Sequence, residues 1–179
     1  KLVIRGGVGL DNVDLDYAKE KGIEVHNTAA ASSVAVAECT MALMIALPNH
    51  IVAGHNGMVK GEWLKKELKR TELFKKTLGI MGCGRIGKEV AKRAAAFDMK
   101  VLGYDVVKID DPNIEQVEDL SALFARCDYI TINTPLTEAT QGMINADAIA
   151  KMKDGVRLIN TGRGKVVVEE DIAAALTNG

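Results

Sequence analysis

Thr77-Leu78-Gly79-Ile80-Met81-Gly82-Cys83-Gly84-Arg85-Ile86-Gly87 decides how this chain of 179 residues is read. An apolar run leads into a G-x-G-x-x-G turn, and the turn opens a helix predicted from about Arg85 to Phe97. Asp105 follows at the end of the next apolar run, Lys100-Val101-Leu102-Gly103-Tyr104. Strand, glycine turn, helix, strand and acid, in that order, meet the demands of a dinucleotide. Gly82 permits the tight turn, Gly84 lets the main chain approach a pyrophosphate, and Gly87 lets the helix pack closely on the strand. The helix start adds free N–H groups and the positive end of a dipole. Asp105 suits a ribose diol and repels a 2′-phosphate, which points to NAD rather than NADP.

Strands and helices alternate outward from this turn. Strands are predicted near residues 77–81, 100–104, 115–117, 129–133 and 156–160, with helices near 85–97, 119–126, 145–152 and 169–178. That alternation predicts an α/β fold, a doubly wound parallel sheet of the Rossmann type. Five strands against the six of a complete sheet suggest an internal piece of a longer protein. Upstream, Leu2-Val3-Ile4 reads as a strand running into the loop Arg5-Gly6-Gly7-Val8-Gly9. Asp14 is placed to cap a helix over 15–21 that Gly22 stops, and Ile23-Glu24-Val25 reads as the next strand. Residues 1–30 are therefore expected to be the remnant of a second α/β domain, and residues 31–179 the dinucleotide-binding domain, incomplete at its end.

Between them, a long helix is predicted from Ser33 to Val59, bent at Pro48. Its apolar residues cover most of the circumference, so it demands burial on several sides and implies a homodimer through the 33–59 region. The stretch from Val34 to Ala53 carries Glu38, Pro48, Asn49 and His50, which makes it a poor membrane span.

Composition narrows the class. With 47% hydrophobic and 26% charged residues and a formal net charge of −1, the chain reads as globular and offers nothing to a nucleic acid. Cys39, Cys83 and Cys127 are odd in number and far apart, as expected of thiols in a reducing cytoplasm. His50 and His55 lie roughly 140° apart around a helix, and His26 stands alone, so no metal site is expected.

A second constellation sits at the carboxyl end of the last predicted strand, in Asn160-Thr161-Gly162-Arg163-Gly164. The planar, permanently charged fork of Arg163 suits a carboxylate or a polarised carbonyl. Thr134-Pro135 ends the neighbouring strand, and Gly7-Val8-Gly9 can bring backbone N–H groups across the cleft. Three loops meeting at one sheet edge favour a binding site over an arginine that merely ties down its own loop.

The chain resembles the D-isomer-specific 2-hydroxyacid dehydrogenases, most closely their phosphoglycerate-oxidising branch. The resemblance runs through Arg5, Gly9-Leu10-Asp11-Asn12-Val13-Asp14, Asn27-Thr28, Ala37-Glu38, Gly61-Glu62-Trp63 and Thr77 through Gly87. It continues through Asp105, Cys127-Asp128-Tyr129-Ile130-Thr131, Thr134-Pro135-Leu136-Thr137, Thr140 and Asn160 through Gly164. It implies that Gly82, Gly84, Arg85, Ile86 and Gly87 hold the NAD pyrophosphate and that Asp105 meets the adenosine ribose. Thr134, Pro135, Thr140, Thr161 and Gly162 would line the cofactor cleft. Val8 and Gly9 would hold the carboxylate of a small 2-hydroxy or 2-oxo acid, Arg163 would polarise its carbonyl, and Arg5 would meet a distal charged group. Ser32 falls in the loop that faces the reacting carbon, where Asn27-Thr28-Ala29-Ala30-Ala31-Ser32 departs from the family's usual proline, glycine and asparagine. Lys75 replaces a common glycine, Asn133 a common histidine and Val168 a common aspartate. The family's proton-transferring glutamate and histidine match positions beyond Gly179, so this stretch alone is expected to bind NAD weakly and not to turn over. A glyoxylate or hydroxypyruvate reductase, or an NAD-sensing corepressor on the same fold, remains open.

Overall fold

A computed structural model describes residues 1–178. Two separate parallel sheets organise them. In the first, β1 (Leu2–Arg5) pairs with β2 (Glu24–Asn27), joined by α1 (Leu15–Glu20). Asp14 caps α1 by accepting from the Tyr17 N–H at 2.8 Å, as its place before an apolar turn requires.

The second sheet holds β3 (Thr77–Met81), β4 (Lys100–Tyr104), β5 (Glu115–Gln116), β6 (Tyr129–Ile132) and β7 (Arg157–Asn160). Its order is β5-β4-β3-β6-β7, parallel throughout, so the chain winds outward twice from β3. Helices α4 (Arg85–Ala95), α5 (Leu120–Arg126), α6 (Ala146–Ile149) and α7 (Glu169–Asn178) alternate with these strands. One face of the sheet buries Leu78, Ile80, Val101 and Tyr129 against Ala37, Met41 and Met44 and against Val90, Ala91 and Ala94 of α4. The other buries Leu102, Ile130 and Ile132 against Leu123, Phe124 and Ile144. Burial on both sides explains why these strands read as continuous apolar runs. The expected doubly wound parallel sheet is the observed one.

The region after β2 corrects one expectation. Helices α2 (Ser33–Asn49) and α3 (Ile51–Val59) meet at 63°, and the break lies at His50 rather than at Pro48. Pro48 sits in the last turn of α2, while His50 adopts φ 51 and caps the helix with its N–H on the Ala46 and Leu47 carbonyls. A left-handed residue ends a helix more sharply than a proline bends one. Among the described residues, no single helix is long and apolar enough to cross a membrane. Helix α2 packs on α4 and β7 through Ala37, Thr40, Met41 and Met44, whereas Val34, Leu43 and Leu47 face outward. Smaller differences are trimmed ends, since α6 is a single turn and β5 only two residues. Lys75, where the family commonly has glycine, takes φ 59, a region that glycine enters without cost.

Candidate functional site

Parallel strands point their carboxyl ends the same way, so the loops after β1, β3, β6 and β7 gather at one edge. They enclose a cleft of ≈ 810 Å³ between the two sheets. Its walls are the Arg5–Asp11 loop, the start of α2 with Ser32 and Val36, the turn from Gly82 to Gly87, and the segments Asn133–Leu136 and Thr161–Arg163.

The glycine turn is shaped by contacts. Gly82 has φ 87, and a Cβ there would come within 2.9 Å of the Asn133 carbonyl carbon and the Thr134 nitrogen. A Cβ on Gly87 would collide with the Gly82 carbonyl oxygen, so the first turn of α4 lies directly on the loop. Gly84 differs: a Cβ there would meet nothing, because this glycine faces open cleft. Gly84 also precedes α4 with no side chain capping the helix, which leaves its first N–H groups turned toward that space. Arg85 is exposed and Ile86 half-buried beside it.

Asp105 follows β4 beside this turn. Its Oδ2 accepts from the Cys83 N–H at 2.7 Å and its Oδ1 from the Val107 N–H at 3.2 Å. The carboxylate is thereby fixed with lone pairs to spare. The Cys83 thiol beneath is pushed up to about 12, by burial first and by the Asp105 charge second, so it is no nucleophile.

The other wall carries charge. Arg163 reaches across to Asp11: Nε bonds Oδ1 at 3.0 Å and Oδ2 at 3.1 Å, and Nη2 bonds Oδ1 at 2.7 Å. Hydrogen bonding from Arg163 holds the Asp11 carboxyl below the usual carboxylate range, and the Arg5 charge adds to this. The glycine loop accommodates both cations, because a side chain on Gly9 would strike the Arg163 guanidinium and one on Gly7 that of Arg5. Behind the wall, Thr161 Oγ1 and the fully buried Thr40 Oγ1 share a hydrogen bond of 3.0 Å.

Most of the expected site residues therefore converge. Arg5, Val8, Gly9, Ser32, the glycine turn, Thr134, Pro135, Thr161, Gly162 and Arg163 all wall the cleft. Asp105 and Thr140 do not. Asp105 is joined to the glycine turn through the Cys83 N–H without itself lining the cleft. The Thr140 hydroxyl donates to the Pro135 carbonyl at 2.6 Å and accepts from the Thr137 N–H at 2.8 Å, so it closes the loop behind Pro135. Sequence reasoning gave no role to Asp11, Thr40 or the Cys83 N–H. Asp11 lies inside the run Gly9 to Asp14, but nothing local links it to an arginine 152 residues away.

A dinucleotide fits these residues. Thr134 Oγ1 and Asn133 Oδ1 are buried on the cleft without a hydrogen-bond partner among the described residues, a costly state unless a ligand supplies one. Together with the uncapped helix start and the open space at Gly84, they offer polar groups where phosphates and sugars would lie. Among the described residues no group of histidine, cysteine and carboxylate side chains could hold a metal ion.

Comparison with known proteins agrees with this geometry. The sequence profile described as "D-isomer specific 2-hydroxyacid dehydrogenase, NAD binding domain" matches residues 41–179. A hydroxypyruvate reductase of Thermotoga maritima is 48% identical over the whole chain, which spans 58% of that protein. A D-3-phosphoglycerate dehydrogenase of Methanocaldococcus jannaschii is 43% identical, and the chain spans 35% of it. The crystal structure of an Aquifex aeolicus D-lactate dehydrogenase complexed with NAD and lactic acid superposes with a TM-score of 0.91 at 41% identity, over 100% of this chain and 55% of that one.

Proposed function

Because this chain belongs to the D-isomer specific 2-hydroxyacid dehydrogenases and carries their NAD-binding domain, we propose that it serves an NAD-dependent oxidoreductase acting on a D-2-hydroxy acid. The observation that supports this most is the opposition, across one cleft, of an uncapped glycine-rich helix start and Arg163 on the loop after β7.

Bound NAD supplies a nicotinamide that exchanges hydride with the 2-carbon of the acid. This chain's residues do the rest of the binding. The helix start and the Gly84 surface take the pyrophosphate, Asp105 takes the adenosine ribose, and Thr134, Pro135, Thr161 and Gly162 wall the nicotinamide end. The Val8 and Gly9 N–H groups take the substrate carboxylate, and Arg163 draws electron density from the 2-oxygen. None of His26, His50 and His55 lines the cleft. The proton transfer that accompanies hydride transfer is therefore not theirs, and the stretch by itself is expected to bind NAD without turnover.

We assign 3-phosphoglycerate as the substrate, oxidised to 3-phosphohydroxypyruvate, because Arg5 adds a second cation at the cleft beyond Arg163, suited to a distal phosphate. The 48% identical hydroxypyruvate reductase favours a second reading, reduction of hydroxypyruvate or glyoxylate. Steady-state rates of the full-length protein with NAD(H) decide between them. Preference for the phosphorylated acid supports the first, preference for the unphosphorylated acids supports the second, and NADH binding without turnover of any of them leaves a nucleotide-sensing protein. A cytoplasmic setting and a homodimer through α2 and α3 complete the proposal.

A further inference from the structure

We infer that Asp11 is the positioning residue for Arg163: it grips one edge of the guanidinium and aims the other at the bound acid. The inference rests on the dehydrogenase function proposed above. A guanidinium has two usable edges, one formed by Nε and Nη2 and one by Nη1 and Nη2. Asp11 closes the first with contacts of 2.7, 3.0 and 3.1 Å. The second is nearly free, since among the described residues Nη1 reaches only the Gly162 carbonyl at 3.4 Å. Its remaining hydrogens suit a carboxylate or the oxygen of a 2-oxo acid.

The pair also joins the two sheets. Asp11 follows β1 and Arg163 follows β7, so their contact ties the loop carrying Val8 and Gly9 to the edge of the larger sheet. An arginine held in this way enters binding with its rotamers already selected, which an unheld side chain must achieve when the ligand arrives. The pair is neutral overall, so Arg163 contributes direction more than attraction, and drawing in an anion falls more to Arg5. Were Asp11 instead a stand-in for the substrate carboxylate, removing it would tighten binding, the opposite outcome.

The test compares the full-length protein with its Asp11→Ala, Asp11→Asn and Asp11→Glu variants. Oxalate, a planar mimic of a 2-oxo acid, is titrated by calorimetry at saturating NADH, and NADH is titrated separately. Asp11→Ala is expected to weaken oxalate by roughly tenfold, as the loss of an outer partner does elsewhere. Asp11→Asn, which keeps one acceptor oxygen, falls between it and the wild type. In steady state kcat falls by more than KM rises, while NADH affinity and the thermal midpoint stay unchanged. Unaltered or tighter oxalate binding in Asp11→Ala, with wild-type binding intact, overturns the positioning role alone. Failure of the wild type to bind oxalate overturns the functional proposal and this inference with it.

Discussion

The Cys83 N–H donates to Asp105 Oδ2 at 2.7 Å, tying the glycine turn after β3 to the residue that follows β4. One hydrogen bond thus sets the spacing between the residues assigned to the pyrophosphate and the carboxylate assigned to the ribose. Asp105→Asn preserves the shape but removes the charge and can turn a donor toward the Cys83 N–H. It is expected to weaken NAD by roughly tenfold, about 1.4 kcal/mol, and to narrow the preference over NADP. Fluorescence titration with NADH and NADPH checks this, and an unchanged ratio of affinities places the selectivity elsewhere.

Two glycines three residues apart, Gly84 and Gly87, make opposite demands. Gly87→Ala drives a methyl group into the Gly82 carbonyl and is expected to cost about 1–3 kcal/mol of stability, read as a lower melting temperature. Gly84→Ala meets no neighbour and should melt like the wild type, yet lose NADH binding, because its methyl group occupies the surface proposed for the diphosphate. A Gly84→Ala protein that binds NADH normally would move the phosphates away from this turn.

The residues of the larger sheet were legible because their signal is local. Leu78, Ile80, Val101, Ile130 and Ile159 belong to short apolar runs bounded by turns, and strands covered on both faces must read that way. The glycine turn and the Asp14 cap carry their reasons within a few residues. The Asp11–Arg163 and Thr40–Thr161 contacts carry none, spanning 152 and 121 residues. Thr40 carries no local mark that sets it apart from its apolar neighbours on the helix. The break at His50 was hidden for a different reason: Pro48 is the stronger sequence signal, yet the helix accommodates it and turns only where a residue enters the left-handed region. Thr140 stands outside the cleft lining with its hydroxyl spent on its own loop, which spacing along the chain does not reveal.

Asp128 gives the fold an acid-sensitive joint. Burial raises its pKa, but the Thr77 N–H at 2.8 Å, the Lys153 ammonium at 3.0 Å and nearby positive charge outweigh it and hold the carboxyl below its ordinary 3.8. A depressed acid stabilises the fold above the unfolded-state value, and that contribution drains away as pH falls through the folded-state value. Asp128→Asn is therefore expected to cost about 1–2 kcal/mol near neutrality. The gap from the wild type should close as pH drops below 3.8. Urea unfolding across the acid range measures it, and a gap constant with pH would show that the loss is one of packing, not charge.

Helix α3 leaves Ile51, Val52, Met58 and Val59 each more than half exposed. Offsets of 1, 7 and 8 from Ile51 place all four along one side of the helix, and Leu43 and Leu47 of α2 are exposed as well. Burying such side chains yields about 1.5–3 kcal/mol each at full coverage, so a two-fold pairing of these stripes has ample driving force. None of them supports the core of their own chain, so Val52→Asp and Val59→Asp should leave the melting of the isolated subunit intact. Both are expected to convert a dimer to a monomer by sedimentation velocity at micromolar concentration. A wild type that already sediments as a monomer would assign the stripe to something other than a second copy.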